Sequence, residues 1–454
     1  MTSYKYDYDV LIVGGGPAGS YLGYLLARDG IDVCIIDKSP RHRLGFKVCG
    51  EGMFRHCLES LNSGASLSLS ILNTVLLSRI RIGDILVAEY WRPLYIINRV
   101  ESVSNMISLA EKHGANVLCE TEVLQPLMRN NVVVGARVNT GSTTKDIRAR
   151  IVIDASGYPA VIRNKITNNI VRWKLLKNEI AIAYRSIIES EQEYPTHIAT
   201  IYFDQKILRG GYLWIFPQET KRLNIGLGTT LINAKSRIFP HLCELLAKKI
   251  CKKLLATGLI IDSGYGLIPV RRPFSMLVWN GVLLVGDAGA QVNPLHAGGI
   301  CSAMRGSEVA ASTIINALEF TSGTLYIQDL WDYSYRYNRT EGVKHAIFEL
   351  ARIFLERMDN RQLALLMMSL NSMQMRELGS IKRYVSIHRS NIAYLARPSV
   401  AKDLARIGVY MHLFLKLSRI IKKHYDRYPI KPQHIKSWDQ VGDRIFQVAR
   451  SYFL

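Results

Sequence analysis

The beginning of the chain alternates between short apolar runs and a helical pattern. Residues 9–13 form an apolar, β-branched run that is typical of a buried parallel strand. From residue 20 to residue 28 the apolar positions follow helical spacing, and Gly30 ends that pattern. A second strand pattern covers residues 31–37. We therefore predict a βαβ unit at the start of the chain.

Beyond this unit, strand and helix patterns are mixed less regularly. The spacing predicts helices at residues 100–113, 241–256 and 303–318, and strands at residues 116–123, 131–139, 147–154 and 281–287. Four strand patterns follow each other with little helix between them, at residues 180–187, 197–203, 211–216 and 223–227. This succession predicts an antiparallel sheet. Apolar residues recur at helical spacing after residue 346, so the remainder is predicted to be mostly helical.

The composition narrows the class of protein. The 454 residues are 48% hydrophobic and 21% charged, which is enough apolar side chain to bury a sizeable core. Basic residues exceed acidic ones by 21 charges, and residues 331–454 alone carry 22 Lys or Arg against 10 Asp or Glu. The excess favours acidic partners such as nucleic acid, anionic lipid or phosphorylated metabolites. Nucleic-acid binding is disfavoured because the basic residues accompany no recognition module.

Apolar runs and cysteines limit the setting in which the protein works. No apolar run reaches the roughly 18–20 residues that span a bilayer, and the first residues lack a signal-peptide pattern. We therefore expect a cytoplasmic protein, free or peripheral on the cytoplasmic membrane face. The apolar stretch at residues 413–421, next to Lys422 and Lys423, suits an anionic membrane surface, and it equally suits a packed helix with a solvated edge. The seven cysteines form no CxxC pair, so we expect neither a disulfide framework nor a metal site.

A glycine-rich turn separates the first strand from the first helix. Gly14, Gly16 and Gly19 form the pattern GxGxxG, in which glycine allows a tight turn and close approach to a pyrophosphate. Ala18 belongs to the same turn, and the helix that follows offers free N–H groups and a positive dipole to phosphates. Asp37 ends the second strand, where a carboxylate can accept hydrogen bonds from ribose hydroxyls. Strand, turn, helix and acid together predict a dinucleotide site.

A second glycine-rich segment indicates which dinucleotide to expect. Residues 286–300 read GDAGAQVNPLHAGGI and follow an apolar strand. This segment resembles the distal FAD motif of the flavoprotein reductase and hydroxylase superfamily, and residues 153–157 with Arg163 resemble its middle motif. An acid at a strand end can hold a ribityl hydroxyl, and a helix N-terminus can face an electron-rich ring oxygen. The resemblance implies FAD as the cofactor, and the residues expected at it are Asp287, Gly299 and Ile300.

The GxGxxG pattern occurs once in the chain. A dedicated NAD(P)H domain of the glutathione-reductase kind is therefore not expected. We expect a transient electron donor, either NAD(P)H or ferredoxin.

These patterns predict an α/β fold with a discontinuous domain organisation. An FAD-binding, Rossmann-like domain is expected to take residues 1–70, 98–165 and 265–330. An inserted antiparallel-sheet substrate domain is expected at residues 71–97 and 166–264, followed by a helical C-terminal region at residues 331–454.

Two further motifs narrow the chemistry. Residues 47–52 read KVCGEG, and residues 211–217 read GYLWIFP, followed by NIGLG at residues 224–228. Together they resemble the geranylgeranyl reductase family, whose pattern is a Cys-Gly pair and a YxWxFP strand, and the resemblance extends nearly end to end. It is strongest to archaeal reductases that saturate the isoprenoid chains of membrane ether lipids. The resemblance implies an FAD-dependent oxidoreductase that saturates double bonds of a polyprenyl lipid.

The same resemblance implies roles for particular residues. Cys49, with Gly50 and Gly52, is expected beside the flavin at the reaction chamber. Arg99 is expected to contact the pyrophosphate region of FAD, and the backbone of Val123 its adenine or ribose. The residues alone also allow a buried inert thiol at position 49 and a solvated arginine at a helix start.

Aromatic residues alternate along the YxWxFP strand. Tyr212, Trp214 and Phe216 therefore face one side of it. An aromatic wall suits a polyprenyl chain, and its π faces can stabilise positive charge at an alkene carbon. We expect Cys49, Tyr212 and Trp214 to form the catalytic set, with Cys49 delivering a proton or positioning a water. An ordinary core position is the better interpretation for Phe216, and a structural role for His296.

Two other functions remain open at this stage. A flavin-dependent hydroxylase or halogenase could use the same scaffold, although residues 213–217 do not match the WxWxIP signature of halogenases. A non-catalytic prenyl-binding protein would hold an isoprenoid chain without redox chemistry, and would need no intact flavin site.

Overall fold

The computed structural model describes residues 5–59, 69–83, 85–166, 173–234, 258–377 and 399–452. In chain order, its strands are β1 (Tyr8–Val13), β2 (Val33–Ile36), β3 (Gly52–Phe54), β4 (Ser70–Ile82), β5 (Ile85–Asn98), β6 (Asn116–Leu118), β7 (Glu122–Arg129), β8 (Val132–Asn139), β9 (Thr144–Asp154), β10 (Ile180–Glu189), β11 (Ile198–Phe203), β12 (Tyr212–Pro217), β13 (Arg222–Thr230), β14 (Leu259–Pro269), β15 (Val278–Trp279) and β16 (Val282–Leu284). The helices are α1 (Pro17–Arg28), α2 (Arg55–Glu59), α3 (Arg99–Lys112), α4 (Ile300–Phe320), α5 (Ile327–Tyr337), α6 (Val343–Leu355), α7 (Asn360–Glu377), α8 (Ser399–Asp426) and α9 (Ile435–Ser451). The helix predicted at residues 241–256 lies outside the described residues.

The first sheet carries the βαβ unit predicted from the opening pattern. Among the described residues it has eight strands, with the path β15–β16–β9–β1–β2–β6, and β8 and β7 extend it from β9. β1 pairs in parallel with β2 and with β9, and β9 pairs in parallel with β16. The carboxyl ends of these strands therefore meet at one edge, which is where open α/β sheets bind ligands.

Burial explains why the opening runs form strands. Leu11 and Ile12 of β1 and Ile35 of β2 have no exposed surface, because helices cover the sheet on which they lie. Leu22 and Leu26 of α1 are equally buried. The apolar period of α1 thus fixes which side of the helix faces the sheet, and α3 and α4 pack against α1.

The second sheet is mostly antiparallel, and together with the first sheet it confirms the predicted α/β fold. Its eight described strands follow the order β14–β10–β13–β12–β11–β4–β5–β3. The four strands predicted at residues 180–227 pair antiparallel with one another, as expected. The sheet departs from antiparallel pairing where β4, from residues 71–97 of the predicted substrate domain, pairs in parallel with β11. β4 and β5 form a long hairpin from an earlier part of the chain, so no short connection constrains its direction beside β11.

One predicted strand is divided in the structure. The single strand expected at residues 116–123 is wrong, since β6 ends at Leu118 and β7 begins at Glu122. Between them, Glu120 takes a left-handed conformation with φ of 50°. Its N–H donates to the carbonyl of Ser39, and the N–H of Thr121 donates to the carbonyl of Asp37. The interruption therefore ties this segment to the end of β2.

The C-terminal helices form the helical region predicted after the two sheets. Leu350, Ile421 and Phe446 bury the contact between α6, α8 and α9. Within the apolar stretch at residues 413–421, Leu415 and Ile420 are exposed, while the remaining apolar residues lie in this packed cluster. None of the helices in the described part of the chain combines the length and the apolar character that a bilayer span requires.

The two sheets do not divide the chain at the predicted boundaries in a simple way. β3 lies within residues 1–70, which were assigned to the FAD-binding domain, yet it pairs with β5 of the second sheet. We therefore propose the predicted discontinuous domains with one change. The residues before β3 belong to the FAD-binding domain, and β3 belongs to the substrate domain.

Candidate functional site

The glycine-rich turn after β1 has no room for larger side chains at two of its positions. Gly14 has a φ of 107°, and a Cβ there would lie 2.5 Å from the carbonyl oxygen of Ala155. A Cβ on Gly19 would lie 1.9 Å from the carbonyl oxygen of Gly14. Glycine at these two positions therefore serves the packing of the turn against β9 and against itself.

Gly16 differs from Gly14 and Gly19, the other two glycines of the GxGxxG pattern. It caps the N-terminus of α1, and a Cβ there would meet no atom of the chain within 4 Å. Ala18 lies buried in the first turn of the same helix. The space beside Gly16 thus opens onto unpaired N–H groups at a helix N-terminus, which is a favourable place for a pyrophosphate.

Asp37 lies where the adenosine half of a dinucleotide is expected. Its Oδ2 accepts a hydrogen bond from the N–H of Gly15 at 2.8 Å, and its Oδ1 accepts one from the N–H of Ser39 at 2.8 Å. Its carbonyl accepts from Thr121, two residues before Val123 in β7. The structure thus brings Asp37 and the Val123 segment together at the end of β2.

The distal motif faces the first turn of α1. A Cβ on Gly286 would lie 3.1 Å from the Cβ of Ala18, and the hydroxyl of Ser307 in α4 donates to the carbonyl of Ala18 at 2.9 Å. Gly299 caps α4, and a Cβ there would lie 3.2 Å from Oδ1 of Asp287. The predicted residues Asp287, Gly299 and Ile300 therefore lie together at the start of α4.

The middle motif supports the distal one. The carboxylate of Asp154 accepts hydrogen bonds from the N–H groups of Ser156, Ile162 and Arg163. The guanidinium of Arg163 in turn donates to the carbonyl of Ala288 at 2.7 Å. All three motifs thus converge at the carboxyl edge of the first sheet.

Arg99 is the first residue of α3 and is only 9% exposed. Its Nε is buried and has no hydrogen-bond partner within the chain. A buried N–H donor without a partner is unfavourable unless an acceptor completes it. The open turn at Gly16 and the unpaired Nε of Arg99 therefore both fit a bound dinucleotide.

Cys49 lies in a loop that hydrogen bonds hold against β12 and β13. The half-buried thiol accepts a hydrogen bond from the N–H of Glu51 at 3.3 Å. The carbonyl of Cys49 accepts from Nδ2 of Asn224, and Oδ1 of Asn224 accepts from the indole N–H of Trp214, both at 2.9 Å. Cys49 and Trp214 are therefore linked through one buried asparagine side chain.

The aromatic residues of β12 line one face, as their alternation predicted. The ring centroids of Tyr212 and Trp214 are 6.0 Å apart, and those of Trp214 and Phe216 are 6.4 Å apart. A Cβ on Gly50 would lie 3.2 Å from both Trp214 and Phe216. Gly50 and Gly52 therefore let the Cys49 loop lie directly on the rings.

The same rings meet the distal motif at one end and a small apolar core at the other. Burial raises the pKa of Tyr212, whose hydroxyl donates to the carbonyl of His296 at 2.6 Å. Nδ1 of His296 accepts from the N–H of Gly298, which gives His296 a structural role. Phe216 packs against a cluster that includes Ile96, in agreement with its expected core position.

Three residues of the site were not singled out from the sequence. Lys47 places its ammonium 2.5 Å from the carboxylate of Asp287. Asn224 was quoted only as part of the NIGLG segment, although a polar residue in an apolar strand is a usable signal. Burial raises the pKa of Glu51, while Arg185 and Arg99 oppose the rise, and its carboxylate accepts from Gln218.

The described residues contain no group of three His, Cys, Asp or Glu side chains placed to hold a metal ion. The site thus has three parts. The dinucleotide cradle is the turn at residues 14–19 with Asp37 and Arg99, the thiol loop is residues 47–51, and the aromatic wall is formed by the rings of Tyr212, Trp214 and Phe216.

Comparison with known proteins agrees with this geometry. Residues 179–267 match the family model of the geranylgeranyl reductase catalytic domain, and residues 7–62 match that of an FAD binding domain. A digeranylgeranylglycerophospholipid reductase of Sulfolobus acidocaldarius is 27% identical over 96% of this chain and 97% of its own. One of Methanoculleus marisnigri is 30% identical over 68% of this chain and 76% of its own. The chain belongs to the geranylgeranyl reductase family. The dinucleotide cradle is accordingly an FAD site.

Solved structures extend the likeness to the fold of geranylgeranyl reductases. A geranylgeranyl bacteriochlorophyll reductase-like protein of Thermoplasma acidophilum has a TM-score of 0.73 and 24% identity, covering 88% of this chain and 98% of its own. A myxobacterial chondrochloren halogenase has a TM-score of 0.60 and 18% identity, covering 77% and 83%. At these identities both likenesses concern the fold alone, and the halogenase is the more distant of the two.

Proposed function

We propose that this geranylgeranyl reductase is an FAD-dependent enzyme that saturates carbon–carbon double bonds in geranylgeranyl chains of archaeal membrane ether lipids or their precursors. The single observation that carries the proposal is the contact of the Cys49 loop with the aromatic face of β12 beside the FAD motifs. An apolar chain offers only hydrophobic surface for recognition, and an aromatic wall supplies it.

The cofactor-binding residues divide among the parts of FAD. Gly14, Gly16, Ala18 and Gly19 would form the cradle of the pyrophosphate, with Arg99 as its cation. Asp37 and Val123 would hold the adenosine. Asp287, oriented by Lys47, would hold the ribityl chain, and Cys49, Gly50, Gly52, Gly299 and Ile300 would border the flavin.

Bound FAD, once reduced, supplies the hydride that an isolated alkene needs. Such an alkene has no carbonyl to accept electron density, so a proton must arrive at the other carbon. Tyr212 and Trp214 would orient the chain and stabilise positive charge through their π faces. Cys49 would deliver the proton or hold the water that does so, since its sulfur is positioned by Glu51 and its backbone by Asn224.

Electrons would come from a transient partner, NAD(P)H or ferredoxin. The support is that the sequence contains one GxGxxG pattern, and this pattern belongs to the FAD site. No second pattern is left for a dedicated NAD(P)H domain. A polyprenyl lipid is the other partner that we propose.

The exposed side of α8 is our candidate for contact with an anionic membrane surface on the cytoplasmic side. Leu415 and Ile420 are exposed there, next to Lys416, Lys422 and Lys423. Apolar side chains flanked by cations suit the boundary between lipid headgroups and acyl chains.

Anaerobic turnover tests the proposed reaction. The purified holoenzyme is reduced with dithionite and given digeranylgeranyl ether phospholipid, geranylgeranyl diphosphate or a polyprenyl quinone, and mass spectrometry follows the product. We expect stepwise addition of hydrogen pairs to the phospholipid. Products that contain added oxygen or halogen would instead support the other flavoenzyme classes, and a purified protein without flavin would support a prenyl-binding role.

Replacement of Cys49 tests the residue roles separately. Cys49→Ala is expected to lower alkene reduction at least tenfold while the flavin remains bound, with half-buried Cys119→Ala as the matched control. Unchanged turnover in Cys49→Ala would remove the proton role from this thiol.

Vesicle binding tests the surface of α8. The enzyme is expected to bind vesicles that contain anionic phospholipid and to release them as salt rises. Lys416→Glu combined with Lys423→Glu should weaken binding, and binding that ignores both salt and these charges would contradict the proposal.

A further inference from the structure

An exposed phenylalanine, Phe46, lies beside the FAD site and takes no part in the proposed reaction. Its side chain is 44% exposed, in the segment between β2 and the thiol loop. Residues on both sides of it are fixed. Leu44 is buried, and a Cβ on Gly15 of the dinucleotide cradle would lie 3.3 Å from its side chain. Lys47, directly after Phe46, is paired with Asp287 of the distal FAD motif.

The turn at Gly45 places Leu44 inside and Phe46 outside. Gly45 has a φ of 78°, and a Cβ there would lie 2.6 Å from the side chain of Val103 in α3. The N–H of Phe46 donates to the carbonyl of Arg43 at 3.0 Å. The backbone therefore holds the ring at the surface. A ring that is already held in place loses little conformational freedom when a partner covers it.

Cations surround this ring. Residues 41–43 form a short 3₁₀ helix before it, and the guanidinium of Arg43 lies 4.6 Å from the ring centre of Phe46. Arg41 is paired with Glu111, so only part of the positive charge is compensated. The exposed members of this surface, which we name the Phe46 patch, are Lys38, Arg41, His42, Arg43 and Phe46. An aromatic centre with arginine beside it is typical of protein interfaces.

We propose that the Phe46 patch is the docking surface for an acidic electron-carrier protein of the ferredoxin class, which reduces the bound flavin. This assignment rests on the proposed function, in which a transient donor supplies the electrons. Charge complementarity favours an acidic protein, because the patch carries three guanidinium or ammonium groups and the chain has an excess of 21 positive charges. A nicotinamide dinucleotide is less suited, since the single GxGxxG turn of the sequence forms the FAD cradle.

The patch adjoins both halves of the FAD site. The Cα atoms of Phe46 and Lys47 are about 3.8 Å apart, as in any two consecutive residues, and the ammonium of Lys47 reaches the distal motif. Leu44, two residues before Phe46, contacts the cradle side. A carrier that covers Phe46 would therefore lie on the segment that joins the cradle to the thiol loop, which gives its electrons a short path to the cofactor.

The electron count requires a contact that forms and dissociates repeatedly. Saturation of one double bond needs two electrons and two protons. An iron–sulfur carrier gives up one electron at a time, so two one-electron deliveries, each of which leaves its carrier cluster oxidised, support one double bond, and the protons come from water. A small surface with one aromatic ring and a charged rim suits such a transient encounter, because electron-transfer complexes bury little area.

Anaerobic stopped-flow absorbance of the holoenzyme, without lipid, tests the docking surface. A reduced ferredoxin with two [4Fe–4S] clusters is mixed with the enzyme, and bleaching of the flavin is followed. We expect a second-order rate constant that falls as salt rises, and that is at least tenfold lower in Arg43→Glu and in Phe46→Ala. The matched controls, which should keep the wild-type rate, are the exposed Lys145→Glu, near the start of β9, and Phe320→Ala, at the end of α4.

Parallel measurements distinguish the other occupants. A wild-type rate with ferredoxin in either patch variant, or no reduction of the flavin by ferredoxin, would overturn the proposal. Slower reduction by NADPH in the patch variants would assign the surface to a nicotinamide dinucleotide, and weaker FAD binding would assign Phe46 to the cofactor site. Dithionite-driven lipid reduction should keep its wild-type rate in both variants. Absence of lipid reduction in the wild type would contradict the proposed function alone, because the docking measurement contains no lipid.

Discussion

The ammonium of Lys47 lies 2.5 Å from a carboxylate oxygen of Asp287, which joins the thiol loop to the distal FAD motif. Both side chains are less than one-third exposed, so solvent screens this ion pair only in part. The pair orients the carboxylate at the place where the proposed ribityl contact would form. Loss of this ion pair should therefore lower the affinity for FAD.

Lys47→Ala is expected to weaken FAD binding about fivefold, which corresponds to roughly 1 kcal/mol. The reason is that Asp287 loses the cation that positions it. Fluorescence titration of the apoprotein measures the dissociation constant, with the exposed Lys112→Ala as a control of equal charge change. Tighter binding in Lys47→Ala would mean that the ammonium competes with the cofactor for Asp287.

Gly16 and Gly19 should respond differently to the same substitution. Gly16→Ala places a methyl group in space that no atom of the chain occupies, so the fold should survive while FAD affinity falls tenfold or more, or about 1.4 kcal/mol. Gly19→Ala places it 1.9 Å from a carbonyl oxygen, so the protein should lose about 1–3 kcal/mol of unfolding free energy. Thermal unfolding of the apoproteins and FAD titration separate the two effects. Equal losses of stability in both variants would refute the distinction.

Asn224 should act on turnover through the Cys49 loop. Asn224→Ala removes the acceptor of the Trp214 indole and the donor to the Cys49 carbonyl, which should cost about 1–3 kcal/mol of stability. It should also slow alkene reduction with FAD affinity unchanged, whereas the exposed Asn233→Ala should do neither. Combining Asn224→Ala with Cys49→Ala should slow reduction no further than Cys49→Ala alone. Multiplied effects would show that Asn224 does not work through Cys49.

His345 should make the fold sensitive to mild acid. Burial lowers its pKa from 6.5 to about 4, and its Nε2 lies 3.4 Å from the hydroxyl of Ser302. Between pH 6.5 and 4 the unfolded chain takes up a proton that the folded chain does not, so stability falls as the pH drops through this window. The loss approaches about 3 kcal/mol.

Urea unfolding at a series of pH values measures this effect. His345→Gln should make the decline between pH 6.5 and 4 shallower, while the part due to His424, whose pKa burial also lowers to about 4, remains. The exposed His412→Gln should leave the decline unchanged. An equally steep decline in His345→Gln would assign the acid sensitivity to other groups.

Local signals explain why much of the FAD site could be predicted. The turn at Gly14 and the acid at Asp37 are set by neighbours in sequence, because a tight turn and a strand end need particular residue types there. The alternation of Tyr212 and Trp214 likewise fixes their common face, since side chains along a strand have a period of two. Each of these inferences used fewer than about ten consecutive residues.

The remaining contacts depend on chain segments that meet only after folding. The ion pair of Lys47 with Asp287 spans 240 positions, and no local pattern relates the two residues. The parallel pairing of β11 with β4 has the same origin. Strands that follow each other along the chain predict antiparallel neighbours, but this order does not indicate how a strand from a remote part of the chain will pair. The division of the strand expected at residues 116–123 follows from hydrogen bonds to the carbonyls of Ser39 and Asp37, which are likewise remote in sequence.

The two faces of β12 contact different parts of the molecule. Leu213 and Ile215 fill an aliphatic cluster on one face, while the three rings occupy the other. A substitution at position 212 would leave that cluster intact, although it would remove the hydrogen bond from the Tyr212 hydroxyl to the carbonyl of His296. The indole at position 214 holds Asn224 and, through it, the thiol loop. Each of these two rings therefore ties β12 to a different part of the proposed flavin site, Tyr212 to the distal FAD motif and Trp214 to the thiol loop.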